Sequence, residues 1–207
     1  MNRTRIKICG LTRIEDVFAA VDAGADAIGL VFYPPSPRFV SFERAAELVR
    51  AVPPFVTTVG LFVNPAPAFV EQALKTVPLQ LLQFHGDESE AECARFGRPW
   101  IKAARVRAGI DLVEFCSSHP SAVGILLDAF VEGYGGGGKT FDWSLIPDGL
   151  GRRLILSGGL DAGNVTEAIR RTRPWAIDVS SGVESAKGIK DAEQIAAFIM
   201  GVRNADV

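Results

Sequence analysis

The stretch LILSGGLDAGNVTEAIRRTRPWAIDVSSGVE, residues 154–184, decides the reading of the fold. Residues 154–157 form a short apolar run, 164–171 have the spacing of an amphipathic helix, and 176–179 are apolar again. A glycine-bearing turn follows each apolar run. Strand, turn, helix and strand make one βαβ unit, with a right-handed crossover and parallel strands. Neither strand alternates polar with apolar residues, as expected where a parallel sheet is covered on both faces.

Worked outward from there, the same unit recurs along the chain. Strands are expected at residues 6–9, 27–32, 57–63, 79–84, 100–105 and 123–128. Helices are expected at 15–23, 42–52, 66–77, 89–96, 110–117 and, at the other end, 190–202. Ser89 and Glu92 have the spacing of a capping box. In the last helix Ile189, Ala192, Ile195, Ala196, Ile199 and Met200 are expected to share the buried face. Eight strands with a helix after nearly each predict an α/β chain folded as a single-domain (β/α)8 barrel over residues 1–207, an architecture usually of ~250 residues but known from ~200. The rhythm breaks between Asp128 and Leu154, where glycines and the segment WSLIP stand in place of a helix. A doubly wound open sheet is the competing architecture.

Composition narrows the function. A net charge of -2 argues against a nucleic-acid surface, which needs clustered cations. No apolar run approaches the ~20 residues of a membrane helix, and the start MNRTRIKICG lacks the apolar stretch of a signal peptide, so a cytoplasmic protein is expected. Cys9, Cys93 and Cys116 are far apart with no CxxC pair, so neither a disulfide framework nor a thiolate zinc site is indicated. His85 and His119 add no metal-ligand spacing. The chemistry is therefore expected to come from ordinary side chains or an organic ligand.

In a barrel the active site lies at the carboxyl ends of the strands. Those ends carry Cys9 and Gly10, the loop YPPSPR (33–38), Asn64, the segment Gln83, Phe84, His85 and Gly86, then Lys102, Asp128, Ser157 to Gly159, and Asp178 to Gly182. So many polar residues and glycines on one rim favour the barrel over the open sheet. The turns after the seventh and eighth strands are the usual phosphate-binding positions of such barrels. Glycine allows close backbone approach to an anion, amides at a helix start donate to it, and Ser180 and Ser181 add hydroxyls. The same glycines would also serve tight turns alone.

Cys9 is either an inert core thiol or, because Gly10 ends the strand there, a group facing the barrel mouth. Asp128 closes the apolar run GILL, where burial would raise its pKa and suit it to donate a proton; an N-cap or structural role is the alternative, against which no convincing helix follows. Arg38, on a loop stiffened by three prolines, suits bidentate binding of a carboxylate, an exposed solvated arginine being the alternative. His85 either orients a substrate or bonds its own loop. His119 reads as surface loop, and Cys93 and Cys116 as helix packing. The segment GYGGGGKT (133–140) matches the GxxxxGK[ST] nucleotide pattern, but FDWSLIPDGLG after it supplies no helix, so the match reads as accidental.

Taken together, KICGLT (7–12), GLVFYPPSPR (29–38), QFHGDE (83–88), LLDAF (126–130), GGGGKTFDW (135–143), SGGLDAGNV (157–165) and DVSSGVESAKGIKD (178–191) resemble the phosphoribosylanthranilate isomerase family, in order and over nearly the whole chain. The resemblance implies a (β/α)8 barrel that carries out an Amadori rearrangement in tryptophan biosynthesis, converting an aldose to a ketose without cofactor or metal. It implies Cys9 as general base and Asp128 as general acid. Arg38 corresponds to the arginine of the anthranilate carboxylate, and Gly158, Gly159, Ser180, Ser181 and Gly182 to the phosphate segments. Gln83, His85 and Asp178, on the same rim, are counted with the substrate-binding residues. Gly137 stands where the family usually carries threonine or serine.

The implied roles fit the chemistry. Protonating the furanose ring oxygen opens the ring to an imine, and removing the proton at the second sugar carbon gives an enolamine. A thiolate serves as base if nearby donors or cations lower its pKa toward neutrality. The histidine-pathway aminoaldose isomerase resembles a two-aspartate site, whereas the first strand here ends in Cys9. Indoleglycerol-phosphate synthase relies on an early lysine that KICGLT does not resemble. A phosphosugar-binding scaffold would need neither Cys9 nor Asp128. The expected partner is a small phosphosugar, with no nucleic acid or membrane, the chain being a monomer or homodimer.

Overall fold

The computed structural model describes residues 3–129, 140–150 and 153–206. Its strands are β1 (Arg5–Cys9), β2 (Ala27–Val31), β3 (Thr57–Phe62), β4 (Leu81–Phe84), β5 (Trp100–Val106), β6 (Gly124–Ala129), β7 (Leu154–Leu156) and β8 (Ala176–Val179). Each pairs in parallel with the next, and β1 pairs with β8 through Lys7 opposite Asp178, so the sheet closes. Closure overturns the open-sheet alternative.

The helices follow their strands in order. They are α1 (Ile14–Ala23), α2 (Phe42–Arg50), α3 (Pro67–Thr76), α4 (Glu90–Ala94), α5 (Leu112–Ser117), α6 (Val165–Thr172) and α7 (Ala192–Ala205). After β6 the described chain offers only a short 3-10 turn, Trp143–Leu145, as the WSLIP segment indicated. The helix starts have visible causes. Ser41 accepts from the Arg44 amide, Pro67 fills the first turn of α3, and Ser89 with Glu92 forms the expected capping box. Helix α1 stops at Gly24, which takes the left-handed conformation that glycine adopts without penalty. No described helix is long and apolar enough to cross a membrane.

Alternation along the strands sorts residues into two layers. Ile6, Ile8, Ile28, Leu30, Leu82, Phe84, Ile125, Leu127, Ile177 and Val179 face outward into the main core beneath the helices. Leu81, Ile101, Ala103, Leu126, Ile155 and Ala176 face inward and plug the lower barrel. Above the plug the inward positions include Cys9, Val31, Leu61 and Val63. The barrel floor is thus dry and packed, and what stands above it faces the mouth.

Three expectations are corrected. The last helix begins at Ala192, not at residue 190, because Asp191 caps it by accepting from Glu193 and Gln194. Ile189 and Lys190 instead pair antiparallel with Glu184–Ala186 as a small ribbon, β9 (Glu184–Ala186) and β10 (Ile189–Lys190). The buried face of α7 is Ile195, Phe198, Ile199, Gly201 and Val202, while Met200 is 59% exposed. Burying the Phe198 ring turns the helix, and Gly201 lets it sit against α6, where a Cβ would lie 2.8 Å from Val165. Finally, His119 is buried, its Nδ1 2.9 Å from the Phe115 carbonyl and its ring tilted against Phe115. Cys93 and Cys116 pack beneath α4 and α5 as expected, and burial pushes the Cys93 thiol up to about 12.

Candidate active site

Alternation explains which side chains reach the mouth. Each inward position separated by two residues contributes a pair: Lys7 and Cys9 on β1, Gln83 and His85 at the end of β4, Asp178 and Ser180 at the end of β8. Asp128 stands two residues above the inward Leu126 on β6. Cys9 lies opposite Gly29 of β2, where any side chain would collide, since a Cβ there would sit 2.7 Å from the Cys9 sulfur. The thiol occupies the space that Gly29 leaves open.

Two networks run from Cys9. The first passes through Lys7, whose ammonium favours the charged form of Cys9 and donates to Asp178 at 2.7 Å. Ser157 donates to the other oxygen of Asp178 at 3.5 Å. Asp178 feels the charges of Asp128 and His85 across the mouth. Asp128 Oδ2 lies 3.0 Å from His85 Nε2, and His85 Nδ1 lies 3.0 Å from Gln83 Nε2. Oδ1 of Asp128 accepts from the Ala129 amide at 2.9 Å. His85 therefore bonds Asp128 and not its own loop.

The second network starts at the Cys9 carbonyl, which accepts from Ser180 Oγ at 3.0 Å. Lys190 donates to the Ser180 carbonyl at 2.9 Å and to Glu184 at 2.8 Å. Glu184 also takes Arg38 bidentately, Nε at 2.7 Å and Nη2 at 2.8 Å. Arg38 is buried, which overturns the solvated-arginine alternative. Its Nη1 carries no bond to the described residues, so one edge of the guanidinium remains for a ligand. Although burial opposes the charge on Glu184, hydrogen bonds from Arg38 and then Lys190 hold its carboxyl below the ordinary range.

The charge state of Cys9 departs from expectation. Cations are beside it, Lys7 foremost and Lys190 farther off, but burial outweighs them and pushes the thiol above its ordinary value, with Asp178 adding to the rise. Burial likewise pushes the Asp178 carboxyl up against the pull of Lys7. Burial at the mouth thus favours the thiol over the thiolate.

The two glycine turns lie side by side. Gly158 takes a left-handed φ of 84°, and a Cβ there would lie 2.5 Å from the Ala129 amide and 2.9 Å from Asp128 Oδ1. Gly159 is also left-handed, and neither glycine amide has an acceptor among the described residues. Gly182 is pressed against the Leu160 carbonyl, leaving no room for a side chain. Ser180, Ser181 and Gly182 enter a short 3-10 turn, Ser181–Val183. The Ser180 hydroxyl is already committed to Cys9, whereas Ser181 is partly exposed.

The network thus joins Cys9, Asp128, Arg38, Gln83, His85, Asp178 and Ser180, with Gly158 against Asp128. Lys102 is not part of it. It points outward beneath α4, donating to the Gly86 carbonyl at 2.7 Å and Glu88 at 3.0 Å. Sequence reasoning missed Lys7, Glu184 and Lys190. Lys7 was detectable, because it shares a strand face with Cys9. The nucleotide-like match at 133–140 and Gly137 lie outside the described residues, apart from Thr140.

Residues 6–200 match the family model described as N-(5'phosphoribosyl)anthranilate (PRA) isomerase. An N-(5'-phosphoribosyl)anthranilate isomerase of Dechloromonas aromatica is 66% identical over 204 residues, 99% of this chain and 98% of its own length. Among solved structures, phosphoribosyl anthranilate isomerase from Thermotoga maritima superposes with a TM-score of 0.90 at 43% identity, covering 97% of this chain and 99% of that one. Another of the same enzyme, in complex with reduced 1-(o-carboxyphenylamino)-1-deoxyribulose 5-phosphate, gives a TM-score of 0.85 at 40% identity over 97% of this chain and 99% of that one.

Proposed function

The chain belongs to the N-(5'-phosphoribosyl)anthranilate isomerase family, aldose–ketose isomerases of tryptophan biosynthesis, and from that premise we propose how its own residues divide the reaction. Asp128 gives its proton to the furanose ring oxygen. The bond from that oxygen to the first sugar carbon breaks, and the anilino nitrogen lone pair forms the imine. Cys9, as thiolate, takes the proton of the second carbon, whose electrons form the enolamine. Ketonisation adds a proton at the first carbon and releases one from the second-carbon hydroxyl. One proton must then pass from Cys9 back to Asp128. The first carbon is reduced as the second is oxidised within one molecule, so no external redox partner is required.

The observation that carries this division is the placement of Cys9 and Asp128. Both are buried and both face the barrel mouth above the packed floor, joined by Lys7, Asp178 and His85. A base and an acid on two different walls of one mouth, β1 and β6, suit a substrate whose two proton transfers occur at different atoms.

The ligand ends follow from what each region can donate. The open edge of Arg38 is assigned to the anthranilate carboxylate, with Glu184 fixing the guanidinium plane. The phosphate is assigned to the free amides of Gly158 and Gly159 and to Ser181 and Gly182. Gly158 also presses on Asp128, so phosphate seated there would register the sugar against the acid. A solved relative binds a reduced, ring-opened analogue bearing both groups, which matches a site with an oxyanion pocket at each end.

The test is the purified chain with enzymatically generated phosphoribosylanthranilate. Turnover is expected, lost in Cys9→Ala and in Asp128→Asn, with affinity for the reduced product analogue retained. Near-normal kcat in either variant overturns the division of roles.

A further inference from the structure

Gln83 is fully buried, and its amide touches the site at one end only. Nε2 is 3.0 Å from His85 Nδ1, while Oε1 is buried without a hydrogen-bond partner. A buried acceptor left without a partner ordinarily costs about as much as a lost hydrogen bond, so this one calls for a reason. The reason lies at the other end of His85, whose Nε2 faces Asp128 Oδ2 at 3.0 Å. A neutral imidazole has one donor and one acceptor nitrogen, so what stands at Nδ1 dictates what Nε2 offers to Asp128.

We propose that Gln83 is a positioning residue whose side-chain amide rotates to follow the proton of Asp128. The inference rests on Asp128 being the general acid. While Asp128 holds its proton, the carboxyl O–H donates to His85 Nε2. Nδ1 then carries the hydrogen and donates to Gln83 Oε1. Once Asp128 has given its proton to the ring oxygen, the carboxylate needs a donor. The imidazole meets it with Nε2–H, leaving Nδ1 to accept from Gln83 Nε2–H. Each state needs the opposite face of the same amide. A side-chain amide carries its donor and its acceptor on opposite sides of one neutral rotor. Because the far end of the amide has no partner among the described residues, the half-turn breaks no second bond there.

Nδ1 loses its hydrogen to solvent water and Nε2 takes one up from it, so the histidine is neutral in both states. Keeping it neutral matters electrostatically. Asp178, Lys7 and Cys9 face the same space from β8 and β1, Arg105 stands opposite Asp128 on β5, and Glu88 and Lys102 lie behind. An imidazolium at His85 would add a cation that holds Asp128 as a carboxylate and so remove the acid.

The experiment uses the full chain labelled with 15N-histidine, read by NMR on either side of the alkaline limb of kcat/KM. His85 is expected as the Nδ1–H tautomer below the limb and the Nε2–H tautomer above it. In Asp128→Asn the tautomer is expected to stop responding to pH. Gln83→Met keeps the volume but offers neither donor nor acceptor. It should lower kcat roughly tenfold, leave KM within about threefold, and abolish the tautomer change. A single tautomer on both sides of the limb in the wild-type chain, or a doubly protonated ring below it, overturns the inference while leaving the acid role of Asp128 intact. Full turnover in Asp128→Asn would instead remove the acid role on which it rests.

Discussion

Lys7 and Cys9 sit two residues apart on one strand, and each changes what the other can be. Lys7 opposes the burial that pushes the thiol up, so Lys7→Met should move the limb of kcat/KM that reports Cys9 ionisation further toward alkaline pH. A shift toward acid would show that Cys9 is not the group responsible. The same variant strands Asp178 as a buried, unpaired carboxylate, a loss of about 3–5 kcal/mol in urea unfolding. Lys7→Met with Asp178→Asn should recover much of that stability without restoring the limb. Gly29→Ala places a methyl against the Cys9 sulfur, with Lys7 Cε at 3.1 Å. Overpacking of this kind costs about 1–3 kcal/mol, and kcat should fall because the thiol must move. At this scale Cys9, Asp128 and Arg38 were legible, since each follows an apolar run or a proline loop that fixes its place. Lys7, Glu184 and Lys190 were not, because a lone charge in a strand or ribbon reads as solvated until its buried partner is known.

Elements were legible where a local signal set their ends. The Ser89 and Glu92 capping box fixed the start of α4, and Ser89→Ala should cost about 1 kcal/mol. The last helix was misjudged in rotation, because two apolar stripes compete on it and only tertiary packing on α6 and the barrel chooses between them. The choice is measurable by urea unfolding. Phe198→Ala should cost about 3–5 kcal/mol, whereas Met200→Ala should stay within about 0.5 kcal/mol. Equal effects would mean that the stripe containing Met200 is the buried one after all. The strand expected at 79–84 begins only at Leu81, because Gln80 turns its side chain to accept from the Thr58 amide at 2.9 Å.

Across the whole molecule, eight strands and their closure into a barrel were readable, but the register at the seam between β1 and β8 was not, since no local residue pattern announces which residues meet at the far end of the chain. Rim ties reinforce that closure, Glu184 holding both Arg38 and Lys190. Its carboxyl lies below the ordinary range when folded, so its contribution is present above the unfolded value of ~4.3. That contribution is lost as pH falls through the folded value. Urea midpoints for Glu184→Gln should therefore lie below wild type at neutral pH and converge with it in acid; a constant difference would assign the loss to packing. The seam also has a temporal side. Lys7 meets Asp178, and Cys9 meets Ser180, across 171 positions. At ~5–20 residues per second of synthesis, the ribosome releases those partners roughly 10–35 s after the thiol emerges. Through that interval Cys9 belongs to a nascent chain, open to the oxidants of its surroundings, and the last barrel strand to be translated is the one that shelters it.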